Sequence, residues 1–156
     1  MITIKIIIKK LSQKETTEDL AIFKVHNISG TVQQAIDILK SGNKHLLAKL
    51  EDHSREEQIS YQDIVYAEYL ERQMILYTNS KIYYIRQSLN QFNQDSPDYL
   101  LQISKNILVN LYAIKAFEAR LNGTLVVQLT TDEKQIVSRH FVPILRKRIH
   151  ELAQNT

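Results

Sequence analysis

The chain has 156 residues, 44% of them hydrophobic and 24% charged, with three Gly, two Pro and eight Tyr. This length and composition favour one folded domain with an appendage over two full domains or a disordered chain. The sequence contains no Cys, which excludes disulfides, thiolate zinc sites and cysteine nucleophiles. The formal net charge is +3, and the surplus lies in residues 101–156, where eight basic residues stand against four acidic ones. Such a surplus attracts a polyanion, although a solvated surface is the commoner reason for a charged run.

The N-terminal part of the sequence predicts a small β-β-α unit. Alternating isoleucines in residues 2–8 have the period of two that is typical of a half-buried strand, and AIFKVHN at 21–27 predicts a second strand. Thr31 and Gln34 fit a capping box before a helix that Gly42 ends. The N-terminus lacks the features of a signal peptide, and no stretch contains the roughly 18 apolar residues of a membrane span. A cytoplasmic protein is therefore expected.

After Gly42, short predicted strands alternate with polar loops, which is typical of a sandwich or of stacked sheets. Asn122 and Gly123 predict a hairpin turn. One helix is expected around residues 85–92, and another from about residues 138–140 onward, with Pro143 in its first turn. The ten predicted strands cover residues 45–51, 57–61, 63–70, 74–79, 81–85, 99–104, 107–111, 114–121, 124–130 and 134–138.

Motifs of catalysis or of nucleotide binding are missing from the sequence. It has no G-x-G-x-x-G, no P-loop and no G-x-S-x-G, and its five histidines are scattered. The acidic loop at 52–57 could hold a hard cation, but a solvated loop is the simpler interpretation. Asp63, Glu68 and Lys81 could supply nuclease chemistry, but nothing in their spacing favours it. We therefore expect no enzymatic activity, no cofactor and no metal.

Basic and polar residues form a more connected pattern. Lys105 lies between Ser104 and Asn106 in QISKNILVN, where three polar residues interrupt a β-prone stretch. Arg139 and His140 lie between the last strand and the last helix, where cations and free backbone N–H groups together suit a phosphate. The basic run RKR that follows on this helix is explained equally well by solubility.

The chain resembles the LytTR DNA-binding domain of bacterial transcription regulators in four segments: DIVYAEYLERQ, YYIRQSLNQF, YLLQISKNILVNLYAI and IVSRHFVPILRKRI. These segments contain the motifs I-x-Y-x-E, R-x-S-L and V-S-R-x-F, and the resemblance covers roughly residues 44–150. It implies a mainly β fold of about ten strands in stacked antiparallel sheets with short helices. Residues 1–43 are then a β-β-α extension, and residues 151–156 are a tail.

The resemblance also implies a way of reading DNA. In this family three elements on one edge enter successive major grooves, and the DNA bends around them. Lys105 would suit guanine, Asn106 would suit adenine or a phosphate, and Asn110 would cap a turn. The residues that the resemblance assigns to DNA are Arg72 and Gln73 in the first element, Ser104, Lys105 and Asn106 in the second, and Arg139 and His140 in the third.

Together these features predict a sequence-specific regulator of transcription that binds double-stranded DNA, as a homodimer on promoter repeats. The alternative is a protein-interaction module with the same fold that has lost DNA binding. Residues 1–43 are too few for a phosphoacceptor receiver domain. The weaker resemblance to short stand-alone LytTR regulators implies a small membrane inhibitor protein as a partner. The N-terminal unit would then serve dimerisation or partner binding, or would only cover a sheet.

Overall fold

The computed structural model describes residues 7, 21–41 and 44–154. Most of the predicted first strand and Gly42 lie outside these residues. The described part contains three α-helices and ten strands in this order: α1 (Gly30–Ser41), β1 (His45–Leu50), β2 (Glu56–Ser60), β3 (Ile64–Leu70), β4 (Gln73–Thr78), β5 (Ile82–Ile85), α2 (Leu89–Asp95), β6 (Leu100–Gln102), β7 (Ile107–Asn110), β8 (Ile114–Ala119), β9 (Leu125–Leu129), β10 (Lys134–Val137) and α3 (Val142–Gln154).

The strands of the described residues form two antiparallel sheets. One has seven strands in the order β2-β1-β5-β4-β3-β7-β6, and the other has three in the order β10-β9-β8. The prediction of a mainly β fold with ten strands in stacked antiparallel sheets is thus confirmed. Each of the ten strands predicted after Gly42 is present within two residues of its expected bounds.

Two apolar cores hold the layers together. The first lies between the seven-stranded sheet and α2, which contributes the fully buried Phe92. The second lies between the two sheets and α3, and includes Leu125 and Leu145. Successive side chains of a strand point to opposite faces, so in β7 Leu108 belongs to the first core and Val109 to the second.

Asn110 is a buried polar residue with a structural role. Its side-chain amide donates to the carbonyl of Ile64 at 2.9 Å, and its Oδ1 accepts from the backbone N–H of Tyr112 at 3.0 Å. The second bond caps the short 3-10 turn of residues 111–113. The prediction that Asn110 caps a turn is confirmed, and both bonds offset the cost of burying an amide.

The segment before α1 differs from its prediction. Residues 21–27 form no strand, so that prediction was wrong. Within the described residues no other segment pairs with them, and an unpaired strand leaves its backbone groups without partners.

The helix that follows is present as predicted, but its first turn starts earlier. Ser29, and not Thr31, acts as the cap, because its Oγ accepts from the backbone N–H of Val32 at 3.3 Å. Asp37 accepts a hydrogen bond from the hydroxyl of Tyr112, and Val32 is buried. The helix is thereby attached to the β domain.

The last helix begins later than predicted. The backbone N–H of Phe141 donates to the carbonyl of Ser138 at 2.8 Å, so residues 139–141 form a turn and α3 starts at Val142. Pro143 does lie in the first helical turn, where its missing N–H costs nothing. Among the helices of the described ranges, none is long and apolar enough to cross a membrane.

Candidate nucleic-acid interface

The first predicted element is the tight turn between β3 and β4. Leu70 and Gln73 are paired across the hairpin, so only Glu71 and Arg72 form the loop. Their φ angles are +50° and +65°, the geometry of the type I′ turn that matches the twist of a two-residue hairpin. Arg72 is exposed at the tip, whereas Gln73 is half-buried at the start of β4.

The second element is the loop between β6 and β7. Ile103 is fully buried, and its backbone N–H donates to the carbonyl of Ile107 at 2.9 Å, which closes the loop at its base. Lys105 is exposed at the tip, while Ser104 and Asn106 beside it are half-buried. The core therefore fixes the base of the loop, and Lys105 is the residue presented outward.

Ser104 and Asn106 hold the shape of this loop. The hydroxyl of Ser104 donates to Asn106 Oδ1 at 3.1 Å, and the backbone N–H of Asn106 lies 3.4 Å from Ser104 Oγ. The Asn106 amide also donates to Glu68 Oε1 in β3 at 3.4 Å. To recognise adenine with both the oxygen and the nitrogen of its side-chain amide, Asn106 would have to break these contacts. In this structure Asn106 therefore supports the loop that presents Lys105.

The third element is the turn between β10 and α3. Arg139 and His140 are both exposed, and the imidazole of His140 packs edge-on against the ring of Phe141, with centroids 5.1 Å apart. The aliphatic part of the Arg139 side chain lies against Gly123, where a Cβ atom would come within 3.2 Å of Arg139 Cδ. The predicted Asn-Gly hairpin therefore supports this arginine.

Backbone hydrogen bonds join the three elements at one edge of the molecule. The carbonyl of Asn106 accepts from the N–H of Tyr69, two residues before the first turn, at 2.7 Å. The carbonyl of Ile103 accepts from the N–H of Ser138, next to the third element, at 2.9 Å. The central loop is thus attached on one side to the first element and on the other side to the third.

The cations of this edge are unpaired among the described residues. The ion pairs found there involve neither Arg72, Lys105 nor Arg139. Arg148 of the RKR run differs, because it donates to the carbonyl of Asp98 at 3.3 Å and lies 3.8 Å from Glu151. The three unpaired cations are free to meet an anion, whereas Arg148 stabilises the fold.

Arg86 also belongs to this edge, although the sequence did not predict it there. Met74 pairs with Ile85, so Arg86 follows β5 at the point where β4 begins, and it lines the same cleft as Arg72 and Gln73. Arg86 is the first residue of the R-x-S-L motif, but the motif alone does not show which strand lies beside it. The pairing of β4 with β5 places Arg86 beside Gln73.

The residues considered for nuclease chemistry do not come together. Asp63 ends the short 3-10 turn before β3, and Glu68 lies four residues into that strand after Ile64, about 13 Å along it. Lys81 forms an ion pair with Glu57 at 3.0 Å. In the part of the chain that the structure describes, no group of three or more His, Cys, Asp or Glu is placed to hold a metal ion.

Comparisons with known proteins agree with this architecture. A solved LytTr DNA-binding domain from Bacillus cereus superposes with a TM-score of 0.61 over 66% of this chain and 94% of that domain, at 18% identity, which shows a common fold. The sensory transduction protein LytR of Streptococcus agalactiae is 32% identical over 143 residues, and that of Streptococcus mutans is 29% identical over 138 residues.

These alignments cover 91% and 87% of this chain but only 52% and 55% of the two relatives. The chain therefore spans about half the length of the curated relatives it matches. The sequence profile of the family described as LytTr DNA-binding domain matches residues 54–150, a range that includes all three elements of the edge. The chain belongs to the LytTR family of DNA-binding domains.

Proposed function

We propose that this protein is a sequence-specific regulator of transcription that reads double-stranded DNA with the three elements of one edge. Membership of the family supports DNA binding. The observation that carries the finer proposal is the pair of backbone hydrogen bonds that fixes the Lys105 loop between Tyr69 and Ser138. Three exposed cations at fixed relative positions are suited to a regular polyanion.

The residues of the edge have different roles in this proposal. Lys105 reaches a base edge in the major groove, where guanine O6 and N7 are the acceptors that suit an ammonium group. Arg72 and Arg139 flank it and contact bases or phosphates. Ser104 and Asn106 fix the loop, and Gln73 and His140 supply neutral hydrogen-bonding groups beside the cations.

The arrangement of the elements bears on the shape of the bound DNA. Elements that enter successive major grooves from one edge require the duplex to curve toward the protein. Bending a site of 20–30 base pairs by 40–90° costs on the order of 1–6 kcal/mol, so the sequence between the contacts affects affinity as well. We propose a bent site made of promoter repeats, bound by two copies of the chain.

A second candidate function is the capture of a partner protein. Its supporting observation is the segment before α1, where four large apolar side chains are exposed: Ile22, Phe23, Val25 and Ile28. This function is compatible with DNA binding, and it replaces DNA binding only if the edge proves inactive.

The first test measures the affinity for a duplex that the native chain selects from a random pool. Replacing Lys105 by Ala removes a contact worth about 1–3 kcal/mol, so we expect binding to weaken about tenfold or more. The exposed Lys40 on α1 provides a control of equal charge, and Lys40→Ala is expected to bind like the native chain.

Salt titration and denaturant unfolding complete this test. The native affinity should fall steeply with salt, by a log-log slope of about −0.9 for each phosphate neutralised. Both variants should unfold at the native denaturant midpoint, because Lys105 and Lys40 are exposed. Selection of no sequence by the native chain, or equal loss in the two variants, would refute the proposal and favour partner capture.

A further inference from the structure

A groove continues from the first DNA element onto an open part of the seven-stranded sheet. One cleft of about 690 Å³ contains Arg72, and a second of about 710 Å³ contains Lys49 of β1. Both clefts are lined by Gln73, Arg86 and Gln87. The two clefts therefore form one groove that runs from the β3–β4 turn across β5 to β1.

The groove is open because the three-stranded sheet covers only part of the larger one. Tyr66 in β3 and Val109 in β7 are buried in the core between the sheets. Beyond β4 this cover ends, and on β1 the side chain of Leu47 is 66% exposed. Lys49, two residues further along the same strand, points to the same open face and is also exposed.

The strand register places a second cation near Arg86. Lys49 lies directly across from Tyr84, and Arg86 follows two residues later, just past the end of β5, where it lines the same cleft as Lys49. Neighbouring strands are about 4.8 Å apart and rise about 3.4 Å per residue, so the Cα atoms of Lys49 and Arg86 are about 8 Å apart. Within the described ranges Lys49 and Arg86 belong to none of the ion pairs.

The far end of the groove carries an acidic side chain beside Lys49. The ring of His53 packs against that of Tyr84 with centroids 5.5 Å apart, and Glu56 lies opposite Lys49 in the β1–β2 pairing. A DNA backbone entering from Arg72 would pass Glu71 at the turn and then meet Arg86 and Lys49. It would be repelled by Glu56 on the neighbouring strand β2.

We propose that Lys49 binds the phosphate backbone of DNA that flanks the base-reading contacts. The inference rests on the proposed function, since the groove begins at the turn that carries Arg72. Duplex DNA has one charge for each ~1.7 Å of its axis, so two cations ~8 Å apart can contact different phosphates of one backbone. Lys49 adds affinity in this way without adding preference for any sequence.

The test compares two duplexes with the same selected sequence. The short one ends at the outermost base pair whose identity matters, and the long one adds about ten arbitrary base pairs, one helical turn, on each side. The native chain should bind the long duplex more tightly. Lys49→Ala should lose this gain, about three- to tenfold, reduce the salt slope on the long duplex by about 0.9, and bind the short duplex normally.

Two further variants complete the experiment. Lys49→Arg should restore the gain, and Lys40→Ala should behave like the native chain on both duplexes. The proposal is overturned if Lys49→Ala binds the long duplex as tightly as the native chain does, or if it weakens both duplexes equally. Equal binding of both duplexes by the native chain overturns this proposal alone, whereas selection of no sequence overturns the proposed function with it.

Discussion

At the scale of single residues, the β3–β4 turn has residues other than glycine at positions where the backbone conformation favours glycine. Glu71 and Arg72 both have left-handed φ angles, which cost about 1–2 kcal/mol each for a residue with a Cβ atom. Glycine would adopt the same turn without this strain. Strain that persists at an exposed tip is typical of positions kept for function, in agreement with a DNA contact by Arg72.

Glycine substitutions separate stability from binding at this turn. Glu71→Gly should raise the free energy of unfolding by about 0.5–1 kcal/mol and should not weaken DNA binding, because the variant loses a negative charge beside Arg72. Arg72→Gly should give a similar gain in stability but should weaken DNA binding. Denaturant unfolding and DNA titration of both variants check this, and equal DNA affinity of the two variants would exclude a role for Arg72.

Gly123 supports the third element from a neighbouring hairpin. Its φ is +81°, and an added Cβ would lie 3.2 Å from Arg139 Cδ. Gly123→Ala should lower the free energy of unfolding by about 1 kcal/mol and, by displacing Arg139, should weaken DNA binding by up to about tenfold. The control is Leu121→Ala, at a fully exposed position of the same hairpin. A Gly123→Ala protein with native DNA affinity would show that Arg139 does not depend on this contact.

At the scale of elements, a charged network fastens the β1–β2 hairpin to β5. Glu57 accepts a hydrogen bond from the hydroxyl of Tyr83 at 2.7 Å and forms ion pairs with Lys81 at 3.0 Å and Arg55 at 2.7 Å. These contacts, with that of Tyr83 the strongest, lower the pKa of Glu57 from 4.5 to about 2.

The lowered pKa makes this contribution to stability dependent on pH. A carboxyl group with a lower pKa in the folded state stabilises the fold above its unfolded pKa and loses that effect as pH falls through the folded value. The stability difference between the native chain and Glu57→Gln should be full above pH 4.5 and should shrink toward pH 2. Denaturant unfolding of both proteins across this range measures it. A difference that stays constant with pH would contradict the assignment.

Prediction from sequence succeeded for elements whose pattern is local. Short apolar runs between polar loops located all ten strands, because nearly every strand buries side chains in a core. It failed for AIFKVHN, which has the composition of a strand but no pairing partner among the described residues. The start of α3 was also misplaced, because the turn at residues 139–141 depends on a hydrogen bond to Ser138 rather than on residue preferences.

At the scale of the whole molecule, strand order was beyond the reach of local patterns. β5 lies between β1 and β4, and this placement brings Arg86 beside Gln73 and creates the groove that leads to Lys49. The resemblance to the family located the other cations of the edge, because its motifs lie at the three loops. Pairing between distant segments explains why Arg86 and Lys49 were found only in the structure.

We propose that one edge of the molecule, built from three separate loops, binds DNA. Backbone amide NMR spectra recorded while the selected duplex is added test it directly. The largest changes should occur in residues 71–73, 104–106 and 139–140, with little change in α1 or β8. Changes centred on residues 21–29 or on α1, with the three loops unaffected, would contradict the account and would identify the N-terminal segment as the binding surface.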